Sequence, residues 1–477
     1  MRKTAVLTTA ALLATSVNAA DVTVDANELE AMKAQIETLN KKLEKMEKAQ
    51  KKVAKTTKKL GKTLSEVKAH DAYDNIKFSV DFRNAVDVLD YKDNETGESA
   101  SNSALLTSRL YLGMGAAPMD GLIFQGQLAI YSMWGGHLNY TGEGESAGLK
   151  DWSGSSKPTD TVMRVKEAYF VYSDTIGEQP VSFSIGRRPS TNGFLANYRE
   201  NEKTSGSPLA HITNMEVNAA MMQFKLSRFV EGAYAKLVYG RAHTGTIENV
   251  YGLKTDPWGP YAKVDGDDEN VDFFVMVGDA YNNGQYQLAY EWAHIFDTKG
   301  KNLATGGTAA AAGTADLLSA AIKVDGIGDE ISDFLDNTTL FLSGAYSFYN
   351  ANEGYQLLGS EDGGSKNGYS VWVGAVIPDM ITDGGKFGIE YNYGSKHWTP
   401  MTWAEDTAIG SKISVRGDAY EAYWNFNLFG VEYLPAQVRY TYAQHDYTPN
   451  VNCAGWVVSE KADITAQDLR FAVSYRY

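Results

Sequence analysis

Cysteine is nearly missing from this chain: Cys453 is the single one in 477 residues. No intrachain disulfide is available, and a lone thiol in an oxidising compartment reads as an incidental residue. Beyond the N-terminal segment no stretch approaches the ~18 consecutive apolar residues that a membrane-spanning helix requires, which excludes an α-helical membrane protein. Catalytic signatures are missing as well. The seven histidines, His70, His137, His211, His243, His294, His397 and His445, are scattered without an HExxH or paired metal spacing. No GxSxG marks a nucleophile turn. These absences argue against an enzyme, and neither a cofactor nor a metal site is expected. Only a His, Ser and Asp assembled from distant strands would leave a hydrolase open.

What is present is aromatic and glycine-rich sequence: 45 Gly, 29 Tyr, 18 Phe and 9 Trp beside 22% charged residues and a mean hydropathy of -0.33. A soluble protein hides such aromatics in a core, whereas a transmembrane barrel displays them to lipid and keeps polar groups inside. The N-terminus has the parts of a secretory signal. Arg2 and Lys3 precede a short apolar run from Ala5 to Ala14, and Val17, Asn18 and Ala19 offer small residues for cleavage after Ala19. The expected organisation is a signal peptide over 1–19, a periplasmic coiled-coil stalk and linker over 20–75, and a barrel over 76–477.

The stalk is expected from spacing. Leu29, Ile36, Leu43, Gln50, Thr57 and Leu64 form one register, and Met32, Leu39, Met46, Val53, Leu60 and Val67 form the other. Alternating steps of three and four residues over nearly six heptads make a left-handed coiled-coil seam. A seam this narrow implies self-association, and the polar layers at Gln50 and Thr57 would select one stoichiometry, for which a homotrimer fits stalk and barrel together. Lysines crowd the outer face, from Lys41 and Lys42 to Lys59 and Lys62. The plain reading is a solvated surface; the sharper one is diffuse attraction to a polyanion such as cell-wall material. Nucleic acid is the wrong partner for that compartment. With so much basic charge in the stalk, the remainder is more acidic than the formal -15 of the whole chain.

From Ile76 onward, apolar and polar residues alternate with period two. Ile76, Phe78, Val80 and Phe82 oppose Lys77, Ser79, Asp81 and Arg83; near the other end Leu469, Phe471, Val473 and Tyr475 oppose Arg470, Ala472, Ser474 and Arg476. Successive strand side chains point to opposite faces, so each segment has one face for lipid and one for water. Such strands imply outer-membrane lipid and the barrel-assembly machinery as partners. Short turns at Pro118–Gly121, Asn282–Gly284, Asp379–Gly385 and Gly430–Glu432 alternate with long polar connections over roughly 92–102, 135–161, 189–214, 244–269 and 397–417. Fifteen strands are recognisable. One more, hidden in the Ala- and Gly-rich stretch from Asp297 to Thr338, would make sixteen, with fourteen and eighteen as alternatives. Asp316 to Leu335 has partly helical character.

Three segments, SIGRRPSTNG from Ser184, GIEYNYGSKHWTP from Gly388 and RGDAYEAYWNFNLFG from Arg416, resemble a family of uncharacterised bacterial outer-membrane proteins, a domain of unknown function usually described as porin-like. The resemblance implies an all-β transmembrane antiparallel barrel behind an N-terminal coiled coil, in the outer membrane of a Gram-negative bacterium. It implies location and architecture, not a substrate.

Conduction needs a wet lumen, a narrowing and a field. Alternation offers Arg83, Arg109, Arg188, Arg439, Arg470 and Arg476 as wall cations against Asp81, Glu291, Glu390 and Glu421; alternatively each pairs with a neighbour and stiffens the wall. The connection after the fifth strand, entered through Arg187, Arg188 and Pro189, is the leading candidate for an inward constriction, since porins place one there. Its arginines could equally anchor the bend. The 297–338 stretch is the second candidate for a plug. The combined expectation is a porin passing small hydrophilic solutes or ions. The alternatives are an envelope tether with a closed barrel, and a selective uptake channel for a metal chelate or organic anion.

Overall fold

The computed structural model describes residues 76–134, 163–202, 204–244, 270–328, 331–402, 405–449 and 458–477. The expected signal segment, the coiled-coil seam with its lysine face, Cys453, the 135–161 connection and all but the first residue of the 244–269 connection lie outside the described residues.

Among the described residues there are twenty strands. The first five are β1 (Lys77–Asp93), β2 (Ser99–Met119), β3 (Leu122–Met133), β4 (Arg164–Ile176) and β5 (Gln179–Ser190). Two short strands, β6 (Gly193–Phe194) and β7 (Gly206–Leu209), lie in the next connection. Then come β8 (Thr213–Lys225), β9 (Tyr234–His243), β10 (Val271–Asn282), β11 (Tyr286–Asn302), β12 (Thr308–Asp325) and β13 (Thr339–Ala351). After the short β14 (Tyr355–Gln356) follow β15 (Ser365–Pro378) and β16 (Lys386–Gly394). The short β17 (Met401–Thr402) precedes β18 (Gly417–Asn427), β19 (Pro435–Tyr447) and β20 (Lys461–Arg476).

Apart from the four short strands, sixteen pair antiparallel around a closed wall. Closure is made by β20 against β1, with Phe82 opposite Tyr475 and Asp87 opposite Arg470. A closed sheet leaves no unpaired edge, which is what allows strands to satisfy every backbone group in lipid. Alternation is strict where it matters. In β13, Thr339, Phe341, Ser343, Ala345 and Ser347 are buried while Leu340, Leu342 and Tyr346 are exposed. The exposed set continues around the outside with Phe82, Val88, Val371, Val373, Ile389, Tyr420, Leu469 and Phe471. Among the described residues no helix is long and apolar enough to cross a membrane.

Two sequence expectations need correction. The 297–338 stretch is mostly strand: its first two-thirds complete β11 and form β12, the strand that brings the count to sixteen. A single helical turn, Asp333–Asp336, sits in the connection to β13. Alternation was hidden because both faces of β12 are apolar, with Ala315, Leu317 and Ala321 buried and Leu318 and Ile322 exposed. The 92–102 connection is also not long. β1 and β2 extend through polar sequence and leave only residues 94–98 between them.

The inside of the barrel is where the core sits. Phe194, Leu195, Ala196, Leu209, Ala210 and Ile212 of the β5–β8 connection pack against Phe273, Val275, Leu317, Phe341 and Trp372 of the wall. A smaller cluster joins Ile409 and Val415 of the β16–β18 connection to Leu89, Ala419, Ala443 and Ala466. The wall facing the first connection has therefore traded polar lumen residues for apolar ones.

Candidate functional site

Two connections enter the lumen, and close backbone packing shapes the first. At Gly193 an added Cβ would lie 2.1 Å from the Pro208 carbonyl oxygen, so only glycine lets β6 and β7 run side by side. Asn192, with φ 50°, makes the turn into this segment and donates from Nδ2 to Glu202 Oε1 at 2.9 Å. His211 holds the other end, its two ring nitrogens bonded to the Ser343 and Ser370 hydroxyls at 2.7 and 2.8 Å. It packs edge-on against Trp372 and Trp398. Burial pushes its imidazole down to about 3, so it is neutral across the physiological range. Tyr198 stacks on Phe341, and Gln437 donates to the Arg199 carbonyl at 2.6 Å. Multiple tethers fix this segment inside the barrel.

The second connection, residues 395–416, is fixed by charge. Asp406 Oδ2 accepts from Arg83 at 2.5 Å and Arg109 at 2.8 Å, while Oδ1 accepts from Arg470 at 3.0 Å. Its carbonyl accepts from Arg439 at 2.8 Å and Arg470 at 2.7 Å. Burial alone would raise this carboxyl, but the surrounding guanidiniums hold it well below the usual carboxylate range. Lys412 bridges Glu390, at 2.6 Å, and Glu421. Arg199 of the first segment reaches Glu405 of the second at 3.3 Å, and β17 pairs with the start of β8, joining the two segments.

These contacts decide where the wall candidates stand. Arg83, Arg109, Arg439, Arg470, Glu390 and Glu421 do face inward, and all are buried and paired beneath the second segment, with Arg109 also bordering a polar cavity. Asp81 is half-buried between Arg109 and Arg476, each at 3.2 Å. Glu291 is buried and accepts from the Leu209 amide at 2.6 Å and the Thr213 hydroxyl at 2.8 Å, an anchor for the first segment. Arg187 donates from Nε to the Lys166 carbonyl at 3.2 Å. Arg188 bonds Ser184 and lies over the Tyr169 ring at 4.7 Å. Sequence reasoning missed Asp406, Lys412, Arg199, Glu405 and His211 because all sit on irregular segments where alternation carries no signal. The one clue was chemical: inward arginines on β1, β2, β19 and β20 outnumber the acids beside them, which requires a counter-ion from elsewhere.

Among the cavities that the described residues leave, two contrast in character. One, of about 430 Å³, lies between the first segment and the β1–β4 wall. Its wall side carries Arg109, Gln125, Gln127, Lys166 and Glu167, and its loop side carries Asn192, Glu200, Glu202 and Ser205. Lys166 is paired with Glu216, and Arg199 with Glu200. Glu167 makes no hydrogen bond or ion pair among the described residues, so the uncommitted charge here is negative. The other cavity, of about 420 Å³, lies against β8–β11; its exposed lining is mostly apolar, from residues such as Val217, Phe273 and Ile295, and it also carries Arg187, Arg188, Lys236 and Arg241.

The chain is similar to solved structures of outer-membrane proteins. OmpT of Vibrio cholerae, in a trimer form, is 12% identical over 84% of this chain and 99% of its own, with a TM-score of 0.44. An anion-selective porin from Comamonas acidovorans is 12% identical over 84% of this chain and 100% of its own, at 0.48. OprB of Pseudomonas putida is 11% identical over 87% and 96%, at 0.46. No curated protein matches the sequence. The model of one family, described as "Protein of unknown function (DUF3373)", matches residues 99–474, and the chain belongs to that family.

Proposed function

We propose that this chain is an outer-membrane channel of the porin kind, passing small hydrophilic solutes or ions without energy input. The observation that carries the reading is the polar cavity between the inward first segment and the β1–β4 wall. An inward loop held against a polar wall is a means of narrowing a lumen without closing it, and side chains lining such a gap set the field that solutes cross. The apolar outer face supports placement in a bilayer, and the export signal and C-terminal alternation support the outer membrane of a Gram-negative cell. A homotrimer with a periplasmic coiled-coil stalk, which contacts the cell wall through its lysines, completes the proposal. No catalytic role is assigned.

With Glu167 and Glu202 facing the passage, the channel is expected to prefer cations. Purified trimers in planar bilayers test this: steady conductance steps are expected, with a reversal potential favouring cations. Glu167→Gln with Glu202→Gln is expected to reduce that preference, and an unchanged reversal potential would remove these carboxylates as the filter.

A second reading, the closed tether, is favoured by the apolar packing of the first segment and the ion pairs of the second, which fill much of the lumen. Folded trimers that stay silent at every voltage would select it. Cell-wall pulldown with and without residues 29–68 tests the stalk under either reading.

A further inference from the structure

The second cavity is at odds with a lumen built only for water. Barrel interiors are polar, yet this one is walled by Val217, Phe273, Val275, Val277 and Ile295. Most of its exposed lining is apolar, with charged and polar side chains set among it, the usual make-up of a small-molecule site, and about 420 Å³ lies within the usual range of such sites. Its acids are already engaged: Glu216 with Lys166, and Glu291 with the Leu209 amide and Thr213 hydroxyl. Two of its cations are not. Arg188 bonds only the Ser184 hydroxyl and the Tyr169 face, and Lys236 lies over the Tyr234 ring at 5.2 Å; neither forms an ion pair among the described residues. Both are half-buried, and they repel each other across the cavity. Glu167 tempers Arg188 and Asp279 tempers Lys236 only at longer range; Asp279 itself is held by Asn282 and Gln287.

We infer that the apolar cavity between β8–β11 and the inward segments binds an amphipathic organic monoanion, a carboxylate with an apolar body, whose charge is received by Arg188 and Lys236. The apolar body gains from leaving water, and the carboxylate relieves two cations held in a poorly solvated place. A small hydrophilic anion satisfies only the second demand, and a neutral alcohol only the first. This goes beyond the channel reading: the cavity is lined by residues other than those of the polar passage, and the site exists whether or not the barrel conducts.

The test uses the full-length protein in lipid nanodiscs, titrated calorimetrically with octanoate, acetate and octanol, with empty nanodiscs subtracted for partitioning. Saturable octanoate binding is expected, with acetate and octanol at least tenfold weaker. Arg188→Gln with Lys236→Gln is expected to weaken octanoate at least tenfold; Val275→Asn, which leaves the cations in place, is also expected to weaken it. Retained heat-modifiable migration on gels shows that each variant is folded. Octanol binding as well as octanoate, an unchanged affinity in the double variant, or no saturable octanoate binding would each overturn the site. Conductance without octanoate binding removes this inference alone, and binding in a silent protein removes the channel alone.

Discussion

Asp406 is the residue on which most of the inner charge depends. Four arginines from four wall strands converge on one carboxylate and its carbonyl, and all are desolvated together. Removing one partner from a buried ion cluster typically costs about 3–5 kcal/mol, because the remaining charges are left uncompensated. Asp406→Asn is therefore expected to lower the unfolding midpoint in urea, and Asp406→Asn combined with Arg83→Met to recover part of the loss. His211 provides a separate pH signature. Its folded-state value near 3 lies below the ~6.5 of an unfolded histidine, so the unfolded chain binds the extra proton between those values. Stability is fully present above about pH 6.5 and declines as pH falls toward 3. The depressed Asp406 carboxyl contributes later in the same direction, below about pH 4. His211→Asn is expected to flatten the first part of the decline, which urea midpoints from pH 7 to 4.5 would measure; an unaltered slope would remove His211 from the account.

Among the elements, the first inward segment shows how backbone geometry creates a site. Gly193 has no room for a side chain, and β6 with β7 braces the loop that faces the polar cavity. Gly193→Val is expected to loosen that brace and raise single-channel conductance while leaving the wall folded; unchanged conductance would show that the segment does not set the channel width. The family-like segments met in the sequence fall at the joints of these elements. SIGRRPSTNG covers the departure of the wall into the first inward segment, and the Gly388 and Arg416 segments bracket the other inward one. The place of the first was expected from its position after the fifth strand, where porins turn a loop inward, with Pro189 and Gly193 marking the bend. Residues 395–416 instead have the polar composition of an outer loop, and nothing in their local pattern shows that Asp406 is a buried partner for distant arginines. β12 was illegible for another reason. Alanine favours helix in isolation, and here small inward residues were needed where the wall packs on the first segment rather than on water.

At the scale of the whole molecule, lipid and lumen impose opposite demands on alternate residues. Leu342 is 48% exposed on the outer face, beside Val373 and Ile322. Leu342→Arg is expected to reduce membrane insertion by an amount that grows with depth, up to about 2–4 kcal/mol at the midplane, read from folding titrations in liposomes. An insertion free energy unaffected by the change would mean that this face does not meet lipid.

The sequence by itself determined the wall. Period-two alternation is a local property, because adjacent side chains on a strand must point to opposite faces, and the facing of Arg83, Arg109, Arg439 and Arg470 was readable for that reason. What only the tertiary structure decided is what those inward residues meet. Pairing across the lumen joins residues more than a hundred positions apart, such as Arg83 with Asp406 and His211 with Ser370. No short-range pattern encodes such contacts, so whether an inward cation faces water, a carboxylate or an apolar cavity emerged only once the barrel had closed around its two loops.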